Sequence, residues 1–315
     1  MSSPEAKMDC DKCKAKAVIT LQHGNLCKNH FLKYFEEKVF KTINKFQLLG
    51  RDEKICVATS GGKDSLTVLY LTKKYIEKYH LPAALFALAI DEGITSYREK
   101  TLADLQEFCA EHKIKLHLAS FEDEFGEKLE TAVLKLNQDV KRRQCNICGV
   151  WRRYLLNKYA KKLEADKVVT GHNLDDEAQA ILMNTFKANT KLAGRLGPKT
   201  GTYEHERFIP RVKPLYFCSE KEVRLYTLLK GFKVQYTECP YSKEGYRHHI
   251  QEMLNEFENK FKGTKQGIIN SYLALLPLIK NSEENLEILS CKLCQEPANK
   301  EICNACNLRE ELNRG

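Results

Sequence analysis

No export leader is expected in this sequence. Its first residues, MSSPEAKMDCDKC, are polar and hold no apolar core of the kind a secretory signal needs. A membrane span is missing too. The longest apolar stretch, LPAALFALAI at 81–90, is too short to cross a bilayer and suits a buried strand. No segment repeats at a fixed period, and no low-complexity linker divides the chain. These absences lead us to expect a cytoplasmic protein without membrane contact. The Walker phosphate loop, Gly-x-x-x-x-Gly-Lys-Ser/Thr, is also absent.

Cysteine is what the sequence has in excess. Thirteen in 315 residues is high for a chain with no leader. In a reducing compartment such cysteines bind metal or do chemistry rather than form disulfides. A hydrophobic content of 43% is enough for one large core with small appendages. The formal net charge of +9 fits a polyanionic partner, although mildly basic soluble proteins are common.

Residues 31–46, FLKYFEEKVFKTINKF, carry apolar side chains at helical spacing. From residue 54, short apolar runs alternate with amphipathic stretches. KICVAT, AALFALAI, IKLHLAS, KVVTG and FKVQY are expected strands, and 65–79, 97–112, 149–164 and 175–187 expected helices. Such alternation predicts an α/β fold, with a Rossmann-like parallel sheet covered on both faces. Residues 246–289 read as helical throughout. The expected division is an N-terminal metal module at 1–32, a catalytic domain at 33–245, a helical segment at 246–287 and a C-terminal metal module at 288–315.

The stretch ICVATSGGKDSLTVLYL, 55–71, is an apolar run, a glycine turn and a helical pattern. Gly61 and Gly62 let backbone N–H groups approach an anion, with Ser60 at the turn. Ser65 opens a helix whose N-terminus carries free donors and partial positive charge. Lys63 adds a full charge, and Asp64 suits a metal ion or a helix cap. A plain strand–helix turn explains Gly-Gly alone, but not the six-residue string. SGGKDS resembles the PP-loop signature of the ATP-pyrophosphatase superfamily, whose members cleave ATP between the α- and β-phosphates.

A second stretch, VVTGHNLDDEAQAILMN at 168–184, places Gly171-His172-Asn173 and then Asp175-Asp176-Glu177 at a strand-to-helix turn. Open α/β sheets put ligands at such C-terminal strand edges. Gly171 allows close approach of a nucleotide. Asp175 or Asp176 suits Mg²⁺ or base work, whereas helix capping is the bland alternative.

Five Cys-x-x-Cys or Cys-x-x-His pairs surround these loops. Cys10, Cys13, Cys27 and His30 form one four-ligand set, and Cys291, Cys294, Cys303 and Cys306 another. Two close pairs per set is what tetrahedral zinc needs, and closed sites of this kind are structural. Cys56 and Cys109 fall in apolar patterns and are expected in the core. Cys218 precedes a helix-capping pattern, SEKE. Cys145 and Cys148 lie within KRRQCNICGVWRR, among Lys141, Arg142, Arg143, Arg152 and Arg153. That positive field is expected to favour thiolate and to attract phosphate. Cys239, in TECPY, follows FKVQY and is expected at the same sheet edge as the phosphate loop. With Cys145 and Cys148 it makes three thiols. Three ligands on a [4Fe–4S] cluster would leave one iron open. A redox dithiol and a third zinc site completed from elsewhere are the alternatives.

In order, CxxC…CxxH, SGGKDS, a central CxxC, GHNLDDEA, TECPY and CxxC…CxxC resemble the TtuA/NcsA family of tRNA 2-thiouridine synthetases over nearly the whole chain. The resemblance implies adenylation of a tRNA uridine at C2, followed by replacement of the oxygen with sulfur. It implies an ATP site at Ala58, Thr59, Ser60, Asp64, Arg152 and Gly171, with Gly61, Gly62, Lys63 and Ser65 completing the loop. It implies cluster ligands at Cys145, Cys148 and Cys239, catalytic work at Asp176, and zinc in the two terminal sets. The implied cofactors are ATP, Mg²⁺, one [4Fe–4S] cluster and two Zn²⁺. The implied partners are tRNA, a sulfur donor (sulfide or a carrier protein) and a second copy of the chain. Related enzymes have Lys where Arg152 stands. Arg keeps the charge but cannot shuttle a proton, which leaves phosphate clamping. Free-looking Cys56, Cys109 and Cys218 and a charged fraction of 30% favour a mesophilic host, hence the wobble uridine over a T-loop uridine. A persulfide route without a cluster, a nitrogen-transferring PP-loop enzyme and a non-catalytic zinc RNA-binding protein are the rival readings. The last would rest on the 141–153 run and on Lys187, Lys191, Arg195 and Lys199.

Overall fold

The computed structural model describes residues 9–136, 144–200, 208–236, 239–241, 246–281 and 289–314. Strands β1 (Ala17–Leu21) and β2 (Gly24–Cys27) form an antiparallel hairpin ahead of helix α1 (Lys28–Lys45). Phe31, Phe35, Val39, Phe40 and Ile43 recur at helical spacing along α1 and are all buried.

Strands β3 (Lys54–Ala58), β4 (Ala84–Asp91) and β5 (Lys115–Ser120) are parallel neighbours, joined by helices α2 (Lys63–Lys78) and α3 (Arg98–Glu111). Short helices α4 (Phe121–Phe125) and α5 (Leu129–Leu136) lead towards the long α6 (Gln144–Lys162). Strand β6 (Lys167–Val169) then pairs on the other side of β3. After α7 (Leu174–Phe186) and α8 (Thr190–Ala193) come the two-residue strands β7 (Lys199–Thr200) and β8 (Arg211–Val212). The sheet order is β5-β4-β3-β6-β8-β7, parallel except where β7 meets β8. Helices α9 (Glu220–Lys230), α10 (Tyr246–Lys260) and α11 (Thr264–Asn281) follow. A small hairpin of β9 (Leu289–Ser290) and β10 (Pro297–Ala298) precedes the terminal α12 (Asn304–Arg314).

The central strand shows why its sequence is a continuous apolar run. Ile55 and Val57 enter one core with α1, α2 and α9, whereas Cys56 enters the other with Trp151 and Leu155 of α6. A parallel strand covered on both faces has no polar side to show. Leu308 and Leu312 of α12 belong to the second core, so the C-terminal module rests on α5 and α6. Strand order reverses about β3, so the edge beside the C-terminal ends of β3 and β6 is a topological switch point, where such sheets bind ligands.

The structure corrects three expectations. Residues 232–236, FKVQY, form no strand, and the place beside β6 belongs to β8. Their alternation is that of a half-buried segment: Phe232 and Val234 lean on the first core without sheet pairing. Residues 246–289 are not one helical run, because a turn at 261–263 separates α10 from α11 and Leu289 begins β9. Helix α6 starts five residues before the expected 149, so Cys145 and Cys148 lie in its first turns. No described helix is long and apolar enough to cross a membrane.

Leu155 is fully buried on the α6 face that carries both the sheet and the C-terminal module. Leu155→Ala should lower unfolding free energy by about 2–5 kcal/mol through lost transfer and a residual cavity. The fluorescence of Trp151, the chain's single tryptophan, reports it directly in a denaturant titration. An unchanged midpoint would mean that this face carries little of the fold.

Candidate functional site

Strand β3 runs through Ala58, which is half-buried, into Thr59, which is buried with its N–H on Leu88 O at 2.9 Å. At Ser60 the chain turns. Gly61 has φ +79, and a Cβ there would lie 2.4 Å from Thr101 O, so glycine is required twice over. Ser65 Oγ donates to Gly62 O at 2.9 Å and accepts from Ser60 N–H at 3.2 Å, which tightens the loop. Helix α2 begins after Gly62 without a side-chain cap, so its first N–H groups remain available to an anion. Lys63 Nζ lies 2.8 Å from Asp64 and 3.0 Å from Glu220. Burial opposes its charge, but those carboxylates prevail and hold its pKa above the ordinary lysine value.

Behind the loop sits an ion pair that the sequence reading missed. Arg98 Nε is 3.0 Å from Glu92, and both side chains are buried. Arg98 also donates to Ser60 O at 2.6 Å and Ile90 O at 2.5 Å, so it braces the loop from beneath. Arg152, on α6, reaches the other Glu92 oxygen at 3.6 Å. The available signal was an acidic residue directly after the apolar β4 run, in AIDEG.

The second loop touches the first. A Cβ on Gly171 would come within 2.9 Å of the Asp64 carbonyl carbon and 3.0 Å of Ser65 N. Asn173 caps α7 and donates to Asp64 Oδ1 at 2.9 Å, while Asp176 completes a capping box with Asn173. The two aspartates differ in their surroundings. Asp175 is buried, pairs with Lys265 and accepts the Glu220 N–H at 2.8 Å, so it is committed to structure. Asp176 is one-third exposed and accepts from Arg247 at 3.0 Å. Burial raises the pKa of both Asp64 and Asp176, and the charge of Asp176 adds to the rise at Asp64. His172 holds Thr170 Oγ1 at 2.9 Å. Its edge meets solvent, yet the protein packed about it, with Lys213, Arg247, Arg211 and Arg152, pushes its pKa down to about 3. It is a neutral imidazole at physiological pH.

Cys145, Cys148 and Arg152 share one face of α6, and Cys145 Sγ donates to Tyr241 O at 3.3 Å, beside Cys239. The three thiols feel each other's charge and that of Arg152. The expected thiolate-favouring field does not prevail. Burial pushes Cys148 up to about 11 and raises Cys239, against the pull of Arg152. Lys141, Arg142, Arg143 and the Lys191 side chain lie outside the described residues. Cys239 reaches the thiol pair from an irregular segment, not from a strand. The donor set, three thiols near one another at the start of α6, is of the kind that would hold a [4Fe–4S] cluster with one iron open.

Two groups among the described residues bring their ligand atoms within 4.8 Å of one another: Cys10, Cys13, Cys27 and His30, and Cys291, Cys294, Cys303 and Cys306. Ligand contacts within the sets include 3.3 Å (Cys27 to His30 Nδ1), 3.7 Å (Cys13 to Cys27) and 3.8 Å (Cys294 to Cys303). Bonds of about 2.3 Å to a tetrahedral zinc give ligand edges of roughly 3.8 Å, so both sets fit one ion. Burial raises the Cys10 thiol, but N–H groups of Cys27 and Lys12, with His30, outweigh it and lower it to about 6. Cys56, Cys109 and Cys218 are buried, and burial pushes Cys56 to about 12 and Cys109 to about 11, which leaves them inert.

The PP-loop domain family matches residues 32–247. The tRNA 2-thiolation protein NcsA of Haloferax volcanii is 36% identical, over 97% of this chain and 99% of its own. The tRNA-5-methyluridine(54) 2-sulfurtransferase of Pyrococcus horikoshii is 35% identical over 97% and 96%. Among solved structures, the U34-tRNA thiolase NcsA of Methanococcus maripaludis with its [4Fe–4S] cluster superposes with a TM-score of 0.82 at 31% identity, over 98% of this chain and 97% of that one.

Gly171→Ala forces a methyl group onto the Asp64 backbone and should separate the two loops. ATP affinity measured by calorimetry is expected to fall at least tenfold with circular dichroism unchanged. Wild-type affinity would show that the loop contact does not shape the nucleotide site.

Proposed function

The chain belongs to the PP-loop family of tRNA 2-thiolation proteins, and from that premise we propose how its own residues carry the reaction and that the target is the wobble uridine. The activity is ATP-dependent tRNA 2-thiolation. The observation that carries the local reading is the meeting of the phosphate loop, the Gly171 loop and three thiols around Glu92 and Arg152.

The uncapped start of α2, with the Ser60–Ser65 turn, receives ATP phosphates. Lys63 and Arg152 spread their charge, since phosphoryl transfer is governed by positioning and electrostatics. Asp64 and Asp176 repel one another, and Mg²⁺ between them and the phosphates would relieve that repulsion. The uridine O2 attacks the α-phosphorus, an O–P bond forms, the α–β anhydride breaks and pyrophosphate leaves. Sulfur then attacks C2, and AMP leaves with the former O2. Asp176 would hold the metal. His172, neutral, offers a hydrogen bond without adding charge.

Cys145, Cys148 and Cys239 would hold a [4Fe–4S] cluster, which supplies an iron site open to sulfide. The donor is sulfide itself or a carrier protein, and two copies of the chain act together. Zinc in the two terminal sets is structural. The U34 reading follows the 0.82 superposition. The relative acting on position 54 keeps a T-loop target as the second reading.

Nucleoside mapping decides between the two. In cells deleted for the chain, 2-thiouridine is expected to vanish at position 34 and to return with the wild type but not with Asp176→Ala, which still binds tRNA. Loss at position 54 with wobble thiolation intact would overturn the target, and rescue by Asp176→Ala would overturn that residue's role.

Anaerobically purified protein is expected to absorb broadly at about 400 nm and to contain two zinc ions per chain. Cys148→Ala should abolish the band and leave the zinc. A colourless wild type that still thiolates tRNA would favour a persulfide on one of the three thiols.

A further inference from the structure

A groove of about 730 Å³ lies on the side of α6 away from the thiols, between residues 194–200, β8 and the C-terminal module. Arg153, Arg195, Lys199, Arg211, Lys280 and Lys300 all line it. Among the described residues none of the six pairs with a carboxylate. The acidic residue in its lining, Glu296, is engaged by Asn157 Nδ2 at 2.9 Å. Among the described residues Arg195 Nε is buried there without a hydrogen-bond partner, and a bound anion or water would satisfy it. Burial and the charge of Arg153 push Arg211 down to about 10, so the cations crowd one another, and an anion would relieve them.

Arg211 of the groove is also one of the cations that act on His172 in the second loop. Cys303, a ligand of the C-terminal metal set, forms part of its far wall. A cavity this size with six cations from α6, β7, β8, α11 and two loops, none paired with a carboxylate among the described residues, exceeds what one phosphate requires and suits a run of them. We propose that this groove carries the phosphate backbone of the tRNA substrate and that the C-terminal module exists to close its outer side. This rests on the thiolation reading above. Recognition here is by charge, so it positions the RNA without reading its sequence.

The test is tRNA binding by the full-length, metal-loaded protein, with Lys199→Gln/Lys280→Gln against the charge-keeping Lys199→Arg/Lys280→Arg. Neither residue touches the phosphate loop, the thiols or the metal sets. At fixed salt the Gln pair is expected to bind tRNA about tenfold more weakly, with a log K against log salt slope shallower by about two. The Arg pair should bind as wild type, and ATP affinity should not change in either. Unchanged tRNA affinity and slope in the Gln pair, with thiolation intact in the wild type, would overturn the groove and leave the function standing; that result would turn attention to an acidic protein as its occupant. A weakened Gln pair, with a wild type that binds tRNA but never thiolates it, would overturn the function and leave the groove.

Discussion

Glu92 is a buried carboxylate with two arginines on it, and the arrangement of the catalytic edge depends on that contact. Arg98 turns the charge inward, to the carbonyls of Ser60 and Ile90. Arg152 turns it outward, to the first turns of α6. Taking a carboxylate and a guanidinium out of water costs several kcal/mol per ion and is tolerated only with good geometry and further hydrogen bonds. Here the further bonds go to the phosphate loop itself. The same acid therefore ties the Ser60 turn to the helix that carries Cys145 and Cys148, and the two share one frame.

Around that frame the sheet does the rest. Parallel strands deliver the loops after β3 and β6 to one edge, and they touch where Gly171 leaves no room for a side chain. Asn173 serves both sides: its oxygen caps α7 and its nitrogen holds Asp64. Arg247, from α10, lies on Asp176 and Gln179. The helical segment that follows the third cysteine is thereby tied to the carboxylate across the cleft.

The legible parts of the sequence were those whose chemistry is local. SGGKDS, the Cys-x-x-Cys spacings and the apolar β3 and β4 runs each specify their structure within a dozen residues. Capping at Ser219 was equally readable, since box partners lie three apart. What stayed hidden is tertiary. FKVQY has a strand's alternation, but β8 took its place with only Arg211 and Val212, too short to show any period. The Glu92–Arg98–Ser60 brace and the Arg247–Asp176 pair join residues far apart in the chain. The pull of Arg152 on the thiols was visible; the burial that outweighs it was not.

The C-terminal module packs its last helix, through Leu308 and Leu312, into the same core as Trp151 and Leu155 of α6. The helix that carries Cys145 and Cys148 is thus backed by the last helix of the described fold, so any loss of packing at the C-terminal cysteine set removes part of the support under α6.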